Sequence, residues 1–227
     1  MNLAPVHLAG ERLLLDPQGA LFWPARALLA VADLHLEKGS AAAARGSLLP
    51  PWDTGLTLDR LAALLRRYTP RTVVALGDSF HDAGASQRLQ PHDHARLQAM
   101  TGVAAFVWVR GNHDPAPPDG VGGSAVAEWR DARLSFRHQA SAEPAAAEIC
   151  GHHHPKAQVP ARGTVVSRPC FVFDGRRLMM PAFGAYTGGL DVRDPAINRL
   201  FPTGGRVFLL GKDRLFSFEI GRGNAIR

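Results

Sequence analysis

The chain has 227 residues, of which 46% are hydrophobic and 20% are charged, and its formal net charge is +6. These values predict one globular domain over residues 1–227, and with only two cysteines they exclude a disulfide framework. No uncharged apolar stretch approaches the ~18 residues of a membrane span, and the N-terminus lacks a signal-peptide pattern, so we expect no membrane contact and a cytoplasmic location.

The first predicted elements are three short strands. Arg12–Asp16 and Leu21–Trp23 flank a Pro-Gln-Gly turn, which predicts a hairpin at the edge of a sheet. Leu28–Ala32 is a short apolar run typical of a buried strand, and Asp33 and His35 follow it directly. On an extended backbone, residues two apart point to the same side, so this strand end presents a carboxylate and an imidazole together.

Two predicted helices flank the next strand. Residues 37–53 form a long connection with a short helix, and the spacing of leucines predicts a helix over Thr57–Tyr68. The apolar run Thr72–Leu76 then ends at a glycine followed by Asp78. A second helix is predicted over Ser86–Met100.

The other histidines near this strand suggest different roles. His81 and Asp82 are candidates for orienting a metal ligand, since a ligating imidazole usually donates its other N–H to a carboxylate. His92 and His94 fall within the predicted helix, where residues two apart point about 200° away from each other. We therefore expect that His92 and His94 do not share an ion.

The run Ala105–Val109 predicts another strand that ends in polar residues. Asn112 offers a neutral amide oxygen as a ligand. His113 is free to stand beside a substrate, with Asp114 fixing its tautomer and keeping it protonated. Residues 115–124, rich in proline and glycine, predict an irregular loop.

Two further strand ends carry histidines. Arg133–Arg137 alternates like a strand and ends at His138. Residues 148–150 form a short run that ends at a glycine and three histidines. On an extended backbone His152 and His154 face the same way and the histidine between them faces away.

The last third of the chain is predicted to be rich in strands that build a second sheet packed on the first. The predicted strands are 164–167, 170–173, 177–180, 207–210 and 215–220. Residues 139–147 form a surface connection and the glycine-rich residues 181–190 a loop. Cys150 and Cys170 lie in apolar runs and are expected to be buried core residues.

The polar residues at these strand ends indicate metal chemistry. Ligands gather beyond the carboxyl ends of strands in layered α/β folds. Carboxylate, amide and imidazole ligands suit divalent Mn, Fe or Zn, and no thiolate is available for a closed zinc site. Seven or eight such ligands are too many for one ion. Two ions sharing a carboxylate, ~3.5–4 Å apart, form the clamp used for displacement at phosphorus.

In this order the motifs resemble a known family. The blocks Asp33-x-His35, Gly77-Asp78, Gly111-Asn-His-Asp114, His138 and Gly151-His152-x-His154 resemble the five-block signature of the calcineurin-like metallophosphoesterases. Residues 31–38, 50–54, 76–82 and 181–189 resemble one subfamily, the ligase-associated DNA damage response endonucleases. The resemblance implies an α/β fold, a four-layer α/β/β/α sandwich with the metals at the strand ends of both sheets.

The resemblance also implies a role for each matched residue. The implied ligands are Asp33, His35 and His154 for the first metal, Asn112, His138 and His152 for the second, and Asp78 bridging both. The implied ions are two divalent metals, first Mn²⁺, with Fe or Zn as alternatives, which would make a bridging hydroxide available near neutral pH. His113, paired with Asp114, would contact the phosphate and stabilise the transition state or protonate the leaving oxygen.

Three functions are considered for the chain. The resemblance favours a DNA phosphodiesterase, an endonuclease of DNA repair with helicase or ligase partners; a nucleotide or another small phosphoester is the second, and a non-catalytic binding scaffold the third. The basic charge permits nucleic acid without requiring it. Candidate phosphate contacts near the motifs are Lys38, Arg45, Arg110, Lys156 and Arg168. The oligomeric state is not readable from the sequence.

Overall fold

The computed structural model describes residues 2–47, 49–113, 120–142, 147–161 and 163–221. Within these ranges the chain forms two β-sheets packed face to face. The first sheet has its strands in chain order: β1 (Ala4–Leu8), β2 (Glu11–Leu15), β3 (Leu21–Trp23), β4 (Leu28–Ala32), β5 (Thr72–Leu76), β6 (Ala105–Val109) and β7 (Ser124–Val126).

The half of this sheet that leads to the polar motifs is parallel. Strands β4, β5, β6 and β7 pair in parallel, whereas β1 to β4 pair antiparallel. All five residues of β4 are buried, as expected for a parallel strand covered on both faces. Ala32, Leu76 and Val109 are in register, so the carboxyl ends of β4, β5 and β6 emerge side by side.

The second sheet contains the remaining strands. They are β8 (Trp129–Asp131), β9 (Leu134–Arg137), β10 (Ala147–Cys150), β11 (Lys156–Ala161), β12 (Thr164–Phe173), β13 (Arg177–Met179), β14 (Gly205–Leu210) and β15 (Leu215–Ile220). Their order is β15-β14-β12-β13-β10-β9-β8, and β11 pairs with β12 alone. Because β9 and β10 are parallel, His138 and Gly151 leave the sheet at the same edge.

Helices cover the outer faces of the sheets. The helices are α1 (Lys38–Ala44), α2 (Asp53–Tyr68), α3 (Ala85–Arg88), α4 (Pro91–Val103) and α5 (Pro195–Asn198). Leucines of α2 and α4 pack on the first sheet, and Ile197 of α5 packs on the outer face of the second. Between the sheets lies an apolar core in which Trp23 stacks on Phe136 with ring centroids 6.4 Å apart. The predicted α/β/β/α sandwich is confirmed.

No helix in the described ranges is long and apolar enough to cross a membrane.

Several element predictions need correction. β1 lies outside the β2–β3 hairpin, so that hairpin is not at the sheet edge. The helix predicted over Ser86–Met100 is divided into α3 and α4, because the residue before Pro91 is extended and the proline begins a new helix. The predicted strands 164–167 and 170–173 are one strand, β12.

Other strands went unpredicted. These are β1, β7, β8 and β11; β11 contains Pro160 and hydrogen-bonds to β12 only, which is where a sheet tolerates proline. Residues 115–119 of the predicted loop over 115–124, and Asp114 before it, lie outside the described residues.

A buried ion pair joins two strands of the second sheet. Arg177 on β13 places Nε 2.8 Å from Oε1 of Glu148 on β10, and the two side chains are 4% and 2% exposed. The guanidinium also donates to the carbonyl groups of Leu200 and Ser141. The pair therefore ties β13, β10 and two connecting segments together.

We expect Arg177→Ala to lower the free energy of unfolding by about 3–5 kcal/mol, because Glu148 would keep a buried charge without its partner. Denaturant titration measures this loss. The matched control is Arg206→Ala, which removes a surface pair with Glu219 whose side chains are 52% and 65% exposed and should cost under ~1 kcal/mol. Equal losses in the two variants would contradict the interpretation.

Candidate metal centre

The polar strand ends of the two sheets meet at one place. Asp33, Asp78 and Asn112 follow the parallel strands β4, β5 and β6 of the first sheet, and His138 and His152 follow β9 and β10 of the second. Contacts cross between the sheets here. Nδ1 of His138 lies 3.1 Å from the carbonyl oxygen at the end of β5, and the backbone N–H of His152 donates to both carboxylate oxygens of Asp33.

The backbone at this edge is unusual. Asp33, His35, Asp78, His152 and His154 all have positive φ, between 43° and 74°. Non-glycine residues rarely adopt this left-handed conformation, and such strain concentrates at functional sites. The extended backbone assumed from the sequence for residues 33–35 and 152–154 is therefore not observed at these positions.

The first group of side chains consists of Asp33, His35 and His154, whose ligand atoms all lie within 4.8 Å of one another. Nε2 of His35 is 3.2 Å from Nε2 of His154, which in turn is 3.5 Å from Oδ1 of Asp33. Two imidazole nitrogens bound to one ion at ~2.1 Å, with an angle near 90–110°, are roughly 3.0–3.4 Å apart. The observed spacing fits a shared divalent metal.

The second group consists of Asp78, His138 and His152, with Asn112 beside them. Nε2 of His138 lies 2.8 Å from Oδ1 of Asn112, 3.0 Å from Nδ1 of His152 and 3.4 Å from Oδ2 of Asp78. Its Nδ1 faces the carbonyl of Leu76, so the proton of the neutral ring is placed on Nδ1, and Nε2 points at two ligand oxygens and a second imidazole nitrogen. Such convergence is favourable only when a proton or a metal ion lies between these atoms.

Asp78 lies between the two groups. Its Oδ2 is 3.4 Å from Nε2 of His138 and 3.9 Å from Nε2 of His35, and its Oδ1 accepts the backbone N–H of His113 at 3.0 Å. Burial alone would raise the pKa of this carboxyl group, but the hydrogen bonds from His138 and His113 hold it well below its ordinary value. The group therefore presents a carboxylate to both sides.

The histidine charges suit ligation. Burial lowers the pKa of His35 to about 4, and burial together with the neighbouring His138 lowers that of His152 to about 4. Both rings are neutral at pH 7, as metal binding requires. Burial opposes the charged form of His138 too, but its hydrogen bond to Asp78 and the charge of Asp33 raise its pKa above the ordinary value. The two carboxylates therefore favour a positive charge at this position, either a proton or a metal ion.

His113 stands at the open side of the centre. Its side chain is 48% exposed, and Nε2 lies 4.0 Å from Oδ2 of Asp78. Its ring lies parallel to that of His81, with centroids 6.0 Å apart. His81 in turn has Nε2 3.2 Å from Nη2 of Arg45 and meets the ring of His35 edge-on. Asp82 turns away, because its carboxylate binds Arg88 and the backbone N–H of Gly84.

The predicted phosphate contacts are spread around the centre. Burial lowers the pKa of Lys38, whose charge also interacts with Asp53 and Lys156. The Nζ of Lys156 lies 3.4 Å from the carbonyl oxygen of Thr187. Arg110 borders a cavity beside Asn112, and the exposed Arg168 lies on β12, opposite the residue after Lys156. Lys38 and Arg45 thus lie near His81, and Arg110 lies near Asn112. Nothing in the described ranges links Arg168 to either group.

Two side chains at the centre were not singled out from the sequence. Arg137 and Gln139 flank His138 in the chain, and Nε2 of Gln139 lies 3.2 Å from Nε2 of His152. Their position next to His138 in the sequence was the one feature that could have marked them as residues of the centre. His92 and His94 lie on α4 and belong to neither group, as predicted.

The fold and the donor set define a layered α/β protein with two adjacent groups of metal-binding side chains. The family model for the calcineurin-like phosphoesterases matches residues 27–167, more than half of the chain. The chain therefore belongs to the calcineurin-like phosphoesterase family. The family binds two divalent metals, and the protein is a metal-dependent phosphoester hydrolase.

A solved structure shares the architecture of this chain. The crystal structure of the Pseudomonas putida nuclease MPE superposes with a TM-score of 0.74 at 29% sequence identity, covering 95% of this chain and 100% of that chain. Yfce, a phosphoesterase from E. coli, gives a TM-score of 0.41 at 13% identity, covering 83% of this chain and 96% of its own. No curated protein sequence matches the chain.

Gly77 allows the second group to form. It has φ +70°, and a Cβ added there would overlap the ring of His138. We expect Gly77→Ala to lower the free energy of unfolding by at least ~1–2 kcal/mol from the left-handed backbone alone and to weaken metal binding by displacing His138. Thermal denaturation and metal titration measure the two effects.

The control for this variant is Gly102→Ala on α4, where a Cβ meets nothing within 4 Å. Its stability should stay within about 1 kcal/mol of wild type, since alanine is favoured over glycine in a helix. Wild-type metal binding by Gly77→Ala would show that His138 does not depend on this close approach.

Proposed function

We propose that this protein is a two-metal phosphodiesterase that cleaves DNA internally, an endonuclease of DNA repair. The observation that carries the proposal is the placement of Asp78 between two convergent groups of ligand atoms. Asp33, His35 and His154 would hold one ion, Asn112, His138 and His152 the other, and Asp78 would contact both. When bound, two divalent ions acidify water and neutralise the charge on phosphate oxygens.

The chain's own residues perform the remaining steps. His113 is half exposed and its backbone N–H donates to Asp78; its side chain would contact a substrate phosphate and protonate the leaving oxygen. Its proposed partner Asp114 lies outside the described residues. His81 lies beside His113 and Arg45 lies beside His81, so both would meet the same substrate on that side.

A DNA substrate is supported by charge and by similarity. The net charge is +6, and Lys38, Arg45, Arg110 and Lys156 lie around the two groups. A similar structure, covering nearly all of this chain, is that of a nuclease. Mn²⁺ is the ion proposed from the family resemblance, and Fe and Zn also fit a donor set of oxygen and nitrogen. A cytoplasmic location and helicase or ligase partners belong to the same proposal.

The test uses purified protein with Mn²⁺ and two substrates, circular single-stranded DNA and bis-p-nitrophenyl phosphate, with Asp78→Ala alongside. We expect the wild type to open the circle and to hydrolyse the small diester, and the variant to do neither. DNA cleavage should fall steeply with added salt, because bound phosphates release counterions. Hydrolysis of the diester without DNA cleavage would move the substrate to nucleotides or other small phosphoesters.

A further inference from the structure

A cavity opens beside the second group of ligand candidates. It has a volume of about 220 Å³, and Asn112 and His138 form part of its wall. Gln139, also in the wall, lies 3.2 Å from the imidazole of His152. A molecule bound in this cavity would therefore be next to the reacting phosphate without occupying the place of the metals.

The cavity is lined by two arginines from different sheets. Arg110 follows β6 of the first sheet and is exposed, whereas Arg137 is the last residue of β9 of the second sheet and is half-buried. In the described part of the chain neither guanidinium forms an ion pair. Glu128 is within electrostatic reach of Arg137, but its carboxylate is engaged by Arg130 and Ser135.

This lining defines the chemistry of the occupant. Two uncompensated guanidinium groups exclude a cation and favour an anion, and arginine matches phosphate oxygens in a bidentate way. The volume is below the ~300–1,000 Å³ of pockets that enclose whole small molecules. It suits one phosphate group with part of its sugar, and not a complete nucleotide.

We propose that Arg110 and Arg137 bind the phosphate that neighbours the scissile one in a nucleic acid strand. The inference rests on the proposed phosphodiesterase function and adds to it a subsite on the side of the second metal group. A substrate with two consecutive phosphates occupies both the metal centre and this cavity. A diester with a single phosphate fills only the metal centre.

The direct test compares the thymidine dinucleotide alone with the same dinucleotide carrying an added 5′- or 3′-terminal phosphate. We expect wild type to prefer one phosphorylated form, roughly 10-fold in kcat/KM, the scale of charge-assisted hydrogen bonds. The preferred terminus shows whether the cavity lies on the 5′ or the 3′ side of the scissile bond. In Arg137→Ala and in Arg110→Ala, the ratio of kcat/KM for the phosphorylated and the unphosphorylated dinucleotide should fall towards one.

The matched control is Arg133→Ala. Arg133 is exposed and directly precedes β9, at the end opposite Arg137, so this variant removes the same charge away from the cavity. It should keep the wild-type preference. Arg137→Lys keeps the charge but loses the bidentate geometry, and we expect an intermediate preference, which guards against a folding defect in Arg137→Ala.

Two results would overturn the inference. One is a wild type without preference for either phosphorylated dinucleotide. The other is an equal loss of activity on every substrate, bis-p-nitrophenyl phosphate included, in Arg137→Ala and Arg110→Ala, because that pattern indicates damage to the metal centre. Failure of the proposed function is seen separately, as absence of diester hydrolysis by the wild type itself.

Discussion

Asp78→Ala is expected to lose metal binding and phosphodiesterase activity together. The Asp78 carboxylate faces His138 on one side and His35 on the other, so its removal affects both groups of ligand candidates. Losing several kcal/mol of transition-state charge stabilisation corresponds to a fall of roughly 10³-fold or more in kcat/KM. Elemental analysis of the dialysed protein and initial rates on bis-p-nitrophenyl phosphate measure the two losses.

The control for Asp78→Ala is Asp59→Ala. Asp59 has a side chain 70% exposed and pairs with Arg96 on the helical layer, away from both groups. This variant should keep two metals and wild-type rates. If Asp78→Ala retained both metals and lost only rate, the carboxylate would act on the substrate and not as a shared ligand.

The sequence predicted the central strands of the first sheet because their signal is local. The apolar runs Leu28–Ala32, Thr72–Leu76 and Ala105–Val109 became β4, β5 and β6 with the same bounds. Each run is short, apolar throughout and followed by polar or glycine residues, which is how a buried parallel strand reads. The side chains that follow these strands could therefore be assigned to one sheet edge.

Other features depend on contacts between distant parts of the chain. β11 has only four alternating residues before Pro160 and pairs with β12 alone, so its own pattern is too short to predict a strand without that partner. The convergence on Nε2 of His138 joins strand ends of two sheets; it was expected from the family resemblance and not from the spacing of these residues in the sequence. Arg137 was read as the end of a strand; that it lines a cavity follows only from the packing of the two sheets.

His113→Ala is expected to keep both metals and to slow DNA cleavage by roughly 100-fold or more, the scale of a positioned acid–base group. His113 belongs to neither ligand group, and its link to Asp78 is a backbone N–H that alanine retains. The loss should be smaller with bis-p-nitrophenyl phosphate, because p-nitrophenolate leaves without protonation whereas the sugar oxygen of DNA needs a proton. Rates on both substrates and the metal content give the comparison.

His92→Ala is the matched control for His113→Ala. The side chain of His92 is 72% exposed on α4, outside both groups, so its removal should leave metal content and both rates at wild-type values. An unchanged rate of DNA cleavage in His113→Ala would remove its role as acid. Equal slowing on the two substrates would instead assign His113 to stabilising the phosphate charge, because that contribution does not depend on the leaving group.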